Sequence, residues 1–209
     1  MITSEAAARD YVASRCNAAA MDRLDKLHSL LIVENERQNL ISAGSVPMIW
    51  NRHIADSAQL LDWASGVTPH PWLDLGTGAG FPGLVIAAMR PEMKVVLVES
   101  RIRRAEWLKQ CRTALSLASC NVIHARLETI DAFRASVISA RAFAPLPKLI
   151  TLARRFSTSD TRWLLPKGRS ATQELAALPV PMRKLFHVEQ SISDPDARIL
   201  IGSGLESAS

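Results

Sequence analysis

The chain has 209 residues, with 25 Lys+Arg against 20 Asp+Glu and a formal net charge of +5. Its 48% hydrophobic and 22% charged content is globular, which excludes a disordered or collagen-like chain. At this length roughly 70% of the unfolded surface can be buried, enough for one sizeable core. The basic excess suits a polyanionic partner, and it equally suits ordinary solubility. The cysteines, Cys16, Cys111 and Cys120, form no Cys-x-x-Cys pair. The five histidines are scattered without ligand spacing. Neither a disulfide framework nor a metal site is expected, and the compartment should be reducing. The start, Met-Ile-Thr-Ser-Glu, carries no basic-then-apolar leader. The longest apolar runs, Leu30 to Val33 and Leu84 to Met89, are too short to cross a bilayer. These features predict a soluble cytoplasmic protein with no membrane partner, a monomer by default.

Residues 1–70 are predicted to be a helical extension. Leu24, Leu27, Leu30 and Leu31 recur at three- and four-residue steps on one helix face. A second helix is expected from Ser45, whose hydroxyl can cap a first turn that tolerates Pro47. Trp50, Ile54, Ala58 and Leu61 form its stripe. Gly66 to Pro71 is a breaker cluster and the expected boundary of a domain spanning 71–209.

Beyond that boundary, short apolar strands alternate with amphipathic helices. Strands are expected at Trp72–Leu75, Lys94–Val98, Asn121–His124, Val137–Ala140 and Thr161–Leu165. Helices are expected over Pro82–Met89, 101–117 (Ile102, Leu108, Cys111 and Leu115 inward), about 146–156, and from Ser170. Lys184–Val188 and Ala197–Ile201 read as strands joined by a turn containing Asp194-Pro195. Residues 203–209 read as a frayed tail. The sum is an α/β, Rossmann-like, seven-stranded and mainly parallel sheet with helices on both faces and the last strand antiparallel.

The strongest chemical signal is Asp74-Leu-Gly76-Thr-Gly78-Ala-Gly80-Phe-Pro-Gly83 between a strand and a helix. Glycines there permit positive φ and close backbone approach to a ligand, at the strand end where doubly wound sheets bind ligands. Glu99 closes the next strand, where a carboxylate can accept from both ribose hydroxyls of a nucleoside. The same residues could instead make only a tight turn and a helix cap.

Two cofactors compete. Gly78-x-Gly80-x-x-Gly83 satisfies the NAD pattern. Asp74 completes an acid-x-Gly-x-Gly-x-Gly order that resembles class I methyltransferases, which bind S-adenosylmethionine. Leu127-Glu128 follows the third strand where that fold contacts adenine. Seven strands fill the chain, leaving no room for a dehydrogenase catalytic domain. Methyl transfer from a sulfonium is an in-line displacement, so the protein mainly aligns donor and acceptor. After the fourth strand stands Ser139-Ala-Arg141-Ala-Phe143-Ala-Pro145, with no carboxylate, amide or Pro-Pro to accept amine hydrogens. That favours an acceptor losing no proton during attack, such as a purine ring nitrogen, with Arg141 as the candidate catalytic residue.

Five segments together resemble one family. Gly76-Thr-Gly-Ala-Gly-Phe-Pro-Gly83, Ser139-Ala-Arg-Ala-Phe143, Pro166-Lys-Gly168, Gln38-Asn-Leu-Ile-Ser-Ala43 and His53-Ile-Ala-Asp56-Ser57 are similar to segments of the bacterial guanine-N7 methyltransferases of small-subunit ribosomal RNA, also called the glucose-inhibited division protein B family. The resemblance runs in order from about residue 34 to 170. It implies a class I fold, S-adenosylmethionine as cofactor, and N7 methylation of a guanine in the 530 loop of 16S rRNA, free or in the small subunit. By position, Asp74, Gly76, Gly78, Gly80 and Phe81 would form the cofactor loop. Glu99 would hold the ribose, Leu127 and Glu128 the adenine edge, and Arg141 the junction of cofactor and target base. Asn39, His53, Asp56 and Lys167 would face the active cleft that takes the RNA. Read from the residues themselves, Phe143 can stack on a flipped base, and Arg154, Arg155, Lys167 and Arg169, beside the expected cleft, are candidates for phosphate contacts. The chain departs from the family at Ser136, where an Asp is usual and a local hydrogen-bonding role is expected, and at Ser42, which keeps the hydroxyl of the usual Thr. A small-molecule methyltransferase or NAD-linked enzyme, and a non-catalytic RNA-binding assembly factor, are the competing readings.

Overall fold

The computed structural model describes residues 1–64 and 70–205. Helix α1 (Glu5–Ala13) begins where the Ser4 hydroxyl accepts the Ala7 N–H at 3.1 Å. Helix α2 (Ala18–Gln38) begins likewise on Asn17, which accepts from Ala20 N at 2.9 Å, and ends on Asn39 in the left-handed region at φ +47°. Such side-chain acceptors satisfy amides that the first helical turn leaves orphaned. Of the expected leucine stripe, Leu24, Leu27 and Leu31 are fully buried.

The single helix expected from Ser45 is four short pieces. A 3-10 turn at Ala43–Met48 contains Pro47, a π-helical turn follows at Trp50–Ala55, then α3 (Asp56–Ala58) and a second 3-10 turn at Gln59–Trp63. Ser45 lies inside the first turn and makes no cap; its hydroxyl donates to Ser42 O at 2.9 Å. The expected boundary at 66–71 falls largely on residues 65–69, outside the described residues.

Among the described residues, seven strands form one sheet: β1 (Trp72–Leu75), β2 (Val95–Glu99), β3 (Cys120–His124), β4 (Val137–Ala140), β5 (Arg162–Lys167), β6 (Phe186–Gln190) and β7 (Arg198–Gly202). Their order is β3-β2-β1-β4-β5-β7-β6, with β7 antiparallel to both neighbours and the other pairings parallel. The helices joining them are α4 (Gly83–Met89), α5 (Ile102–Ala114), α6 (Leu146–Ala153), α7 (Ala171–Ala176) and α8 (Val180–Arg183).

Alternate strand residues divide the core, as the two-residue period requires. Trp72, Leu97, Leu164 and Ile199 face α2, α4 and α5 in one cluster, which includes Leu24, Leu27 and Leu31 of the N-terminal region. Leu73, Leu75, Ile138 and Leu165 face α6 and α7 in the other. Ile102, expected inward, is 59% exposed: nine residues at about 100° each put it half a turn round from buried Cys111. The expected tail is partly docked, since Leu205 is buried and Gly204 N–H donates to Ser159 O at 3.2 Å; residues 206–209 lie outside the described residues. Strand order reverses between β1 and β4, so their carboxyl ends open a crevice at a topological switch point.

Candidate active site

The loop leaving β1 is held from below. Asp74 is fully buried; its Oδ1 accepts from the Ser139 hydroxyl at 2.7 Å and its Oδ2 from Gly83 N–H at 3.1 Å. The Trp72 indole donates to the same Ser139 oxygen at 2.8 Å. Burial pushes the Asp74 carboxyl up to about 6 despite the bonds from Ser139, Thr77 and Gly83. Asp74, a predicted cofactor residue, therefore lies beneath the loop and shapes it. The Trp107 indole pins the top, donating to Ala79 O at 3.0 Å.

Gly76 and Gly78 turn at φ +62° and +60°, a conformation that disfavours any Cβ. Gly78 N–H donates to Glu99 Oε2 at 3.0 Å, and Arg101 N–H, at the start of α5, donates to Oε1 at 2.8 Å. Glu99 thus joins loop to helix, and each carboxylate oxygen keeps a lone pair for a further donor. Gly80 (φ +109°) packs on Leu84. Beside the loop is a cavity of about 260 Å³ walled by Gly76, Val98, Leu127, Glu128 and Phe143. The Phe143 ring closes over Gly76, where a Cβ would come within 2.4 Å of its Cδ2. Apolar Val98 and Leu127 with a nearby carboxylate fit the faces and hydroxyls of a nucleoside, so the residues suit the expected cofactor.

A larger cleft of about 930 Å³ adjoins it, and Phe143 and Ala144 line both. Arg141 enters from the end of β4, on a chain that turns sharply at Ala142 (φ +53°). Its guanidinium lies 5.1 Å from the Phe81 ring centre, 3.7 Å from Asp56 Oδ2, and donates to Arg52 O at 3.3 Å. His53 stacks on Phe81, with ring centres 5.0 Å apart. The Ser45 proton goes to Ser42 O, so His53 Nε2 must be the donor in its 3.0 Å bond to Ser45 Oγ. Its Nδ1 is then a buried lone pair without a partner among the described residues. Burial, with Arg141 and Arg52 adding to it, pushes His53 down to about 3. At neutral pH the imidazole is uncharged and suited to packing and hydrogen bonding.

The predicted residues divide accordingly. His53, Asp56, Arg141, Phe143, Lys167 and Arg169 line the cleft. Lys167 Nζ is engaged by Glu174 Oε2 at 2.8 Å and Ala144 O at 3.3 Å. Asn39, expected in the cleft, is exposed and serves to end α2. Arg154 and Arg155, also expected there, follow α6, which runs back from the carboxyl edge of the sheet to the amino edge, where Phe156 O accepts from Ala135 N just before β4. Arg155 instead donates to Leu127 O and Ile130 O, bracing the small cavity's wall from behind. The Ser136 hydroxyl donates to His70 O at 2.6 Å, tying the start of β4 to the segment that enters β1. The sequence reading missed Arg52, Glu174, Asp194, Asp196 and Arg198, all cleft residues. The acidic Asp194-Pro195-Asp196 turn was the one available signal.

A glycine turn at the switch point, an acid ending the second strand and an antiparallel seventh strand define a class I, S-adenosylmethionine-dependent methyltransferase fold. A solved S-adenosylmethionine-dependent methyltransferase from Aquifex aeolicus superposes with a TM-score of 0.58 at 14% identity, covering 76% of this chain and 93% of that one. The family model described as GidB, rRNA small subunit methyltransferase G, matches residues 20–197. The chain belongs to that family. It is 58% identical to the ribosomal RNA small subunit methyltransferase G of Erythrobacter litoralis over 98% of both chains. It is 53% identical to that of Novosphingobium aromaticivorans over 88% of this chain and 80% of that one.

Proposed function

We propose that this enzyme methylates N7 of a guanine in the 530 loop of 16S rRNA with S-adenosylmethionine as donor. The observation that carries the reading is the adjacency of the nucleoside-sized cavity and the Arg141-lined cleft, with Phe143 between them. The bound donor would supply an electrophilic methyl group. Glu99 would take ribose hydroxyls, Val98 and Leu127 the adenine faces, and Glu128 its edge.

The protein's task at the acceptor is alignment. A ring-nitrogen lone pair needs no base, and the segment after β4 offers none. His53 is neutral and holds Phe81 in place. Phe81 and Asp56 in turn fix Arg141, whose guanidinium can grip the guanine O6, leaving the N7 lone pair free to attack the methyl group, or hold a neighbouring phosphate. Phe143 would stack on the target base, and Arg169 and Arg52 would meet phosphates.

Incubation with labelled methyl donor and either 16S rRNA or small subunits from a strain lacking this enzyme tests the proposal. One labelled guanine, modified at N7, is expected. No incorporation under any ionic condition would leave the RNA-binding assembly role. Calorimetry separates the remaining alternative: S-adenosylmethionine should bind, and binding of NAD alone would overturn the assignment.

A further inference from the structure

The cleft carries its own counter-charges: five cations, Arg52, Arg141, Lys167, Arg169 and Arg198, against four carboxylates. Two of the resulting ion pairs are locked. Asp56, facing Arg141, also accepts at Oδ1 from Gln59 Nε2 (2.9 Å), Ser191 Oγ (3.0 Å) and Ser193 Oγ (2.6 Å). Glu174, facing Lys167, also accepts from Ser170 Oγ at 2.8 Å and Leu146 N–H at 3.0 Å. Neither carboxylate can leave without abandoning several bonds.

The other two pairs are built differently. Asp194 pairs with Arg52 and Asp196 with Arg169, and both carboxylates ride on the one turn between β6 and β7. The Arg169 and Asp196 side chains are 82% and 50% exposed. The turn's backbone is held independently of these ion pairs. Arg198 donates to Pro195 O at 2.7 Å and Ala197 O at 2.9 Å, and Gln190 Nε2 donates to Asp194 O and Ala197 O, each at 3.0 Å. Asp194 Oδ1 accepts Asp196 N–H at 2.8 Å, a bond an asparagine oxygen would keep. The turn is a fixed arm presenting two anionic groups to two cations.

We propose that Asp194 and Asp196 occupy the places of RNA phosphates and set the enzyme's selectivity for its RNA. Carboxylate and phosphate offer the same oxygens to a guanidinium fork. In the free protein the two acids neutralise Arg52 and Arg169; bound RNA displaces them. RNA of arbitrary sequence must break two ion pairs to gain two phosphate contacts. The target loop gains the Arg141–Phe143 pocket as well and so offsets that cost. The proposal rests on RNA being the substrate.

The test compares the wild type with Asp194→Asn/Asp196→Asn, measuring binding to a non-cognate RNA hairpin and to unmethylated 16S rRNA over a salt series. The double variant should bind the hairpin about five- to tenfold tighter at low salt. The gain should shrink as salt rises, and the ratio of cognate to non-cognate affinity should fall. Asp196→Asn alone, at the exposed pair, should give part of the gain and serves if the double variant fails to fold. Unchanged or weaker hairpin binding by these variants, while the wild type binds rRNA, would overturn the proposal and leave both pairs as structural. A wild type that binds neither RNA would overturn the substrate assignment, and this inference with it.

Discussion

The cofactor crevice and the substrate cleft share a border at Phe143 and are built by opposite means. The crevice is shaped by the backbone of the glycine loop 74–83, against which Val98 of β2, Leu127 and Glu128 after β3, and Phe143 close. Its shape depends on positive φ at Gly76 and Gly78 and on amides tied to Asp74 and Glu99. The cleft is made of side chains from segments as far apart as Ser45 and Asp196, and its ion-paired cations are each held by a carboxylate from elsewhere. A backbone-built site is set by local conformation. A side-chain-built site is set by pairings, and some of these can be exchanged for a ligand's own charges.

Four substitutions probe that contrast. The largest effect is expected at Arg141, which lines the cleft two residues before Phe143. Arg141→Ala should cut turnover by about a hundredfold through lost alignment and lower unfolding free energy by about 2 kcal/mol, because buried Asp56 loses its cation; an unfolded variant would reassign the residue to structure. On the crevice side, Glu99→Ala should weaken S-adenosylmethionine binding by about 1–3 kcal/mol in calorimetry, since charge-assisted bonds are lost and the Gly78 and Arg101 amides are freed. Full affinity would show that the backbone holds the crevice without Glu99.

Lys167 distinguishes locked from exchangeable charges. Lys167→Ala should lower unfolding free energy by about 2 kcal/mol, because Glu174 is left partly buried without its cation. The salt dependence of RNA binding should stay the same; a slope smaller by about one would instead make Lys167 a phosphate contact.

The smallest effect is a pH dependence. Unfolded, His53 takes a proton near 6.5; folded, burial delays this to about 3. Its stabilising contribution is therefore complete above pH 6.5 and is lost, by up to about 1.4 kcal/mol per pH unit, as pH falls below it. Asp74 acts with the opposite sign. Raised from 3.8 to about 6 when folded, it protonates first in the native state and adds stability as pH falls through that window. Denaturant midpoints of His53→Gln should accordingly be less acid-sensitive than wild type between pH 6.5 and 5. Parallel curves would show that His53 does not titrate as its burial requires.

Much of the architecture could be read from the chain because its causes are local. Alternating strands and helices, the glycine turn and the closing strand pair are written in side-chain period and in residues that permit unusual φ. The order of the sheet and the neighbourhood of Gly76, Glu99 and Leu127 follow from them. Position in sequence said less about what each group would do. Asp74 reads as a ligand contact and lies under its loop, because a fully buried carboxylate keeps its charge only by taking bonds from Ser139 and Gly83. Arg154 and Arg155 read as cleft residues and sit at the far edge, because α6 reverses the chain between them and β4. Pairings such as Arg52 with Asp194 join residues more than a hundred positions apart. No periodicity encodes them; only the packed fold, by bringing opposite charges together where water is partly excluded, decides which cations are held fast and which can be given up.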